Sequence, residues 1–93
     1  MPALDYEVAQ ERANALGRLG RRLETALAAL ADYDRTDGAR DAGRRQLVQE
    51  ASDALWHFIV QREACGLRDP RPVIRDYRVP GEVYAGMGAF GRR

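Results

Sequence analysis

The chain has no lysine: all 15 of its basic side chains are arginine. An arginine-only set would suit bidentate capture of carboxylate or phosphate. GC-rich coding also favours Arg, Ala and Gly together, and that is the plainer reading. Cysteine is nearly absent too. The lone Cys65 excludes an internal disulfide and any multi-cysteine metal site, so a reducing, cytoplasmic setting is expected. No apolar run approaches the ~18 residues that span a bilayer, so no membrane role is expected. The first residues lack the basic-then-apolar order of a secretory signal. Excess charge is missing as well, since a net +1 selects no class of partner. There is no Walker-type loop, no Gly-x-Gly-x-x-Gly after a strand and no Ser–His–acid set. Gly17-Arg18-Leu19-Gly20 falls inside a helical pattern and is not a phosphate loop. No enzyme activity and no cofactor are expected.

What is present is helical periodicity. Leu16, Leu19, Leu23, Ala26, Leu30 and Tyr33 recur at spacings of three and four, with Leu4, Val8, Ala9 and Leu27 widening the stripe. A helix is expected over 4–33 and a turn over 34–38, where Asp, Thr and Gly cluster. Thr36, Asp37 and Asp41 are all candidates to cap the next helix. That helix is expected over 39–65. Leu47, Val48, Ala51, Ala54, Leu55, Phe58, Ile59 and Cys65 share one face of it. Gly66 suits the position just past its end, with Leu67 making the accompanying apolar contact. Asp69-Pro70 opens a short helix over 70–78 and Pro80 another over 80–87, leaving 88–93 as a tail.

The expected fold is therefore all-α. A long antiparallel hairpin is followed by one or two short helices, and dimerisation would build a four-helix bundle. Trp56 and Val60 lie outside the main apolar face of the second helix and need a cover. The expected self-association interface comprises Trp56, Val60, Leu19, Leu23, Leu30 and Phe58. Arg12 falls inside the first apolar stripe, and pairing the helices about the turn brings it near Glu63, so an Arg12–Glu63 ion pair is expected. The same pairing puts Arg22 near Glu50 or Asp53.

Three constellations bear on chemistry. Glu50, Asp53, His57 and Gln61 share a helix face, and His with carboxylates can hold a metal ion or shuttle protons. The spacing does not match the Glu-x-x-His of di-iron bundles, and the bland alternative is a solvated polar stripe. Cys65 sits at a helix C-terminus, where the dipole opposes a thiolate; a small buried residue is the expected role. The run Val73 to Tyr84 has a loose helix-turn-helix outline, with Arg75, Arg78 and the terminal arginines available to phosphates. Residues 66–93 do carry six arginines against three acids. Glycines interrupt the would-be recognition helix, however, and few polar groups remain to read bases. The ranked expectation is a non-enzymatic, self-associating interaction module. Behind it come a nucleic-acid-binding accessory protein and then a metal-dependent activity at His57, with nucleic acid disfavoured as a partner.

The segments Glu11-Arg-Ala-Asn-Ala-Leu-Gly-Arg-Leu-Gly-Arg-Arg-Leu-Glu24 and Phe58-Ile-Val-Gln-Arg-Glu-Ala-Cys-Gly-Leu-Arg-Asp69, followed by Val79-Pro80 and Glu82-Val83, resemble a family of short Ala/Arg-rich proteobacterial proteins of unknown function. The resemblance implies a bacterial origin and no established activity. It transfers no functional residue, and it directs interest to the junction from Gln61 to Asp69.

Overall fold

The computed structural model describes residues 3–90, with side chains as far as Met87. Four helices follow one another: α1 (Ala3–Thr36), α2 (Ala42–Ala64), α3 (Arg71–Asp76) and α4 (Gly81–Phe90). There is no strand among the described residues. α1 and α2 pack antiparallel, and α4 folds back onto α2. The short C-terminal helices thus cover the hairpin within one chain.

α1 continues past the expected turn to Thr36. The Thr36 hydroxyl donates to the Asp32 carbonyl (2.9 Å) and Arg35 pairs with Asp32 (2.7 Å), which keeps the last turn helical. Gly38 then reverses the chain at φ +73°. Of the three candidate caps, Asp41 takes the role: its carboxylate accepts from the Arg44 backbone N–H at 3.0 Å, so α2 starts at Ala42. α2 ends as its sequence suggests. Gly66 adopts φ +87°, its N–H donates to Glu63 O (3.0 Å), and that of Leu67 donates to Arg62 O (2.8 Å). Leu67 itself stays 46 % exposed. α3 closes in the same way, but with an arginine where glycine is usual. Arg78 sits at φ +53°, and the Val79 N–H donates to Ile74 O at 3.0 Å. α4 runs through Gly86 and Gly88 to Phe90, beyond the end expected at residue 87. Residues 91–93 of the expected tail lie outside the described residues.

The core is small. Leu23 and Leu30 from α1 meet Ala51, Ala54, Leu55 and Phe58 from α2, and Val73, Val79 and Val83 close over them. Each large apolar side chain buried there contributes about 1.5–3 kcal/mol, against an ordering cost of about 1–2 kcal/mol per residue. The polar centre of the α2–α4 contact is Ser52. It is fully buried, and its hydroxyl lies 2.8 Å from Val48 O and 2.9 Å from Val83 O. α4 comes so close that a Cβ on Gly86 would overlap the Ser52 hydroxyl oxygen.

The molecule is a rod of 54 × 26 × 23 Å. Its radius of gyration is 15.1 Å, against about 12 Å for a compact chain of this length. The cause is unequal helix length. At about 1.5 Å per residue α1 is about 51 Å long and α2 about 35 Å. Gln61 and Cys65, at the end of α2, reach the Arg12 carbonyl. Residues 3–11 of α1 therefore run on past the end of α2, with no other helix beside them among the described residues.

Candidate interaction surface

The two ends of the rod differ in chemistry. At the turn end, α1, α2 and α4 are tied together by one guanidinium. Arg44, only 8 % exposed, donates through Nε to Asp34 Oδ1 (2.8 Å) and through Nη2 to Asp34 Oδ2 (3.2 Å). It also donates through Nη1 to Glu82 Oε2 (3.0 Å) and through Nη2 to Glu82 Oε1 (2.6 Å). Two bidentate pairs on one buried arginine make a tight clamp, because planar guanidinium and carboxylate match in geometry. Bonding to Glu82 and then Asp34 holds Arg44 above its ordinary pKa. The bonds from Arg44 hold the carboxyls of Asp34 and Glu82 below theirs. Beside the clamp, the Tyr33 hydroxyl donates to Asp41, the cap of α2. That bond pushes the Tyr33 pKa up to about 12 and the Asp41 carboxyl down. All these polar groups are engaged with one another, so the clamp is structural.

At the opposite end the stripe of α1 emerges without cover. Leu4, Tyr6 and Val8 are 68 %, 62 % and 42 % exposed. Where α2 stops, Ala9, Arg12, Ala13 and Leu16 of α1 and Ala64 and Cys65 of α2 line an open groove of about 350 Å³. Cys65 is half-buried there, with Sγ 3.9 Å from the Arg12 carbonyl, so it is more accessible than a small core residue.

The structure corrects several sequence-based expectations. Arg12 and Glu63 are both exposed, and no ion pair joins them among the described residues. The expected pair assumed a partly buried Arg12, but α2 ends beside that turn of α1. Arg22 meets neither Glu50 nor Asp53 as an ion pair; its Nη1 lies 3.1 Å from His57 Nδ1. The same ring nitrogen lies 2.8 Å from the Asp53 carbonyl. Glu50 and Asp53 instead accept from Gln46 (3.2 Å) and Gln49 (2.8 Å), one turn back. No group of three or more His, Cys, Asp and Glu side chains converges among the described residues. A guanidinium against the ring also opposes a second cation there. Of the expected interface, Leu23, Leu30 and Phe58 are consumed by the chain's own core, and Leu19 is half-buried against it. Trp56 is half-buried and meets His57 edge to face at 5.2 Å, while Val60 is 42 % exposed.

The model of a family of unknown function (DUF6665) matches residues 1–93. The chain belongs to that family. No curated protein and no solved structure matches it. For this DUF6665 chain only part of the basic set in the helix-turn-helix outline is tied up: Arg78 is exposed with no ion pair among the described residues, and Arg92 and Arg93 lie outside them. Arg71 is held by Asp69 at 2.9–3.1 Å and Arg75 by Asp76 at 2.9 Å, while α4 turns Val83 into the core. Among the described residues no helix is long and apolar enough to cross a membrane.

Sequence reasoning missed Arg44, Asp34, Glu82 and Ser52. A signal for Arg44 existed: it stands seven residues before Ala51 and eleven before Leu55, on the apolar line of α2.

Proposed function

We propose that this chain is a non-enzymatic helical protein that works by self-association, in the reducing compartment its single thiol suits. The observation that supports the reading is the exposed continuation of α1. Its apolar stripe is buried where α2 lies alongside, and it carries Leu4 and Val8 into solvent where α2 has ended. The exposed surface is 6356 Å², against about 5400 Å² for a folded chain of this size. That excess is the surface a partner copy would cover. Because α4 already occupies a flank of α2, the partner is not expected to stack hairpin on hairpin through the core face. The polar sites offer less: Arg71 and Arg75 are held by neighbouring carboxylates, and the His57 stripe gathers no ligand set among the described residues. Light scattering across a micromolar concentration series tests the reading. A mass that rises with concentration toward twice the chain mass is expected. A constant monomer mass with a cooperative melt would overturn it.

A further inference from the structure

The self-association proposed above leaves open which surface meets which, and α1 holds a pattern that specifies both. Beyond the end of α2 the core line of α1 continues through Asp5, Val8, Ala9 and Arg12. Asp5 and Arg12 are seven residues apart, so they lie on almost the same line of the helix. Both are exposed. Among the described residues neither has an ion-pair partner. A lone acid and a lone base on an otherwise apolar line would each be awkward against an apolar partner. Against a second copy of the same helix, running antiparallel, they match.

We propose that two copies of this chain dock through residues 3–13 of α1, antiparallel, about a two-fold axis between Val8 and Ala9. An isologous contact of this kind pairs each residue with its symmetry mate's counterpart, twice. With the axis there, Val8 faces the partner's Ala9, and Asp5 faces the partner's Arg12. Leu4 is half a helical turn round from Ala13, so it flanks the seam instead of filling the groove beside Ala13. The partner helix covers the stripe of α1 outward from the turn where α2 stops. The small side chain of Ala9 lets the two backbones approach, and the reciprocal Asp5–Arg12 pairs fix register and antiparallel direction. Moving the axis by half a residue toward the N-terminus sets Asp5 against the partner's Glu11, which repels.

The test is a charge-reversal cycle read by sedimentation equilibrium. Asp5→Arg and Arg12→Asp each convert two attractive contacts into two repulsive ones. Each is expected to weaken the dimer about tenfold or more at low salt. The double variant Asp5→Arg/Arg12→Asp restores the pairing and is expected to return to within a few-fold of the original affinity. Arg21→Asp, on the far side of α1, is expected to leave the affinity unchanged. Helical content by circular dichroism confirms that each variant folds. Two results overturn the seam while leaving self-association standing: a dimer indifferent to both single reversals, or a double variant no tighter than the singles. A wild-type chain that is monomeric throughout overturns both this seam and the function it rests on.

Discussion

Alanine at Gly86 gives a test of the packing in which even the sign is informative. Helix propensity alone favours it: Gly to Ala in a helix interior is worth up to about 1 kcal/mol of stabilisation. The close contact between α4 and α2 opposes it. A Cβ there would overlap the Ser52 hydroxyl oxygen and stand 3.2 Å from the Ser52 Cβ. Ser52 is fully buried and its hydroxyl lies against Val48 O and Val83 O, so moving it aside gives up those contacts. Overpacking of this kind costs about 1–3 kcal/mol, and breaking the hydroxyl's bonds adds about 1 kcal/mol. Gly86→Ala is therefore expected to destabilise by about 1–3 kcal/mol net. Two other helical glycines calibrate the effect. At Gly17 a Cβ meets only the mobile end of Arg21, 3.3 Å away, so alanine is expected to stabilise. At Gly20 it meets the Tyr77 hydroxyl at 3.1 Å and the Phe58 ring at 3.3 Å, so the outcome falls between the two. Urea unfolding at one fixed protein concentration, followed by circular dichroism, gives all three values. Combining Gly86→Ala with Ser52→Ala removes the colliding oxygen, and the pair is expected to couple favourably by about 1–2 kcal/mol. Gly86→Ala as stable as the parent, or a cycle with no coupling, would refute the close α2–α4 contact.

Arg78 holds a left-handed conformation, φ +53°, that glycine adopts without a side-chain penalty. Arg78→Gly is expected to raise stability by up to about 1 kcal/mol in the same urea assay, and a loss of stability would count against the turn described here. The clamp predicts an acid limb. The carboxyls of Asp34 and Glu82 titrate lower in the folded chain than in the unfolded one. Their contribution is therefore complete above the unfolded carboxyl pKa of about 4 and lost as pH falls through the folded values. Melting temperature is expected to drop below about pH 4, less steeply in Asp34→Asn/Glu82→Gln; parallel curves for parent and variant would reject the clamp as the source. Tyr33 predicts the alkaline side. Its pKa rises from 10.0 to about 12, so its contribution is complete below about pH 10 and fades as pH climbs toward 12. Ultraviolet titration is expected to show late ionisation of Tyr33 and of Tyr77, which burial also raises, with Asp41→Asn returning only Tyr33 toward its ordinary value; an unchanged titration in that variant would exclude the Tyr33–Asp41 bond.

The hairpin was legible because two long stripes with the helical period have only each other to cover. Leu23 and Leu30 pack on Leu55 and Phe58 as the periodicity requires. The stop after α2 was legible for a similarly local reason, since Gly66 can take the positive φ that closes a helix. The clamp was harder to read. Arg44 and Arg45 look alike in a charged first turn, and only position on the apolar line marks Arg44 as the buried one. Its partners lie ten residues upstream and thirty-eight downstream, and no local pattern announces them. The meeting of Ser52 and Gly86 was out of reach altogether, because it depends on how α4 crosses α2.

Arg12 shows how a sound premise can lead to the wrong partner. A charge on an apolar helix line does call for an opposite charge, and the helix pairing about the turn does point toward Glu63. What the periodicity does not give is where the shorter helix ends, and α2 ends beside Arg12. From there outward the line of α1 carries one acid, Asp5, and one base, Arg12, with no neighbouring helix to answer either. Inside one chain the two are not joined among the described residues, although the longer Glu11 does reach Arg18 across the same spacing, at 3.2 Å. In an antiparallel copy the same spacing becomes an asset, since it brings each acid level with the other chain's base. The demand that suggested Glu63 is then met by Asp5 of a second molecule, and the length difference between α1 and α2 is what keeps that line open for it.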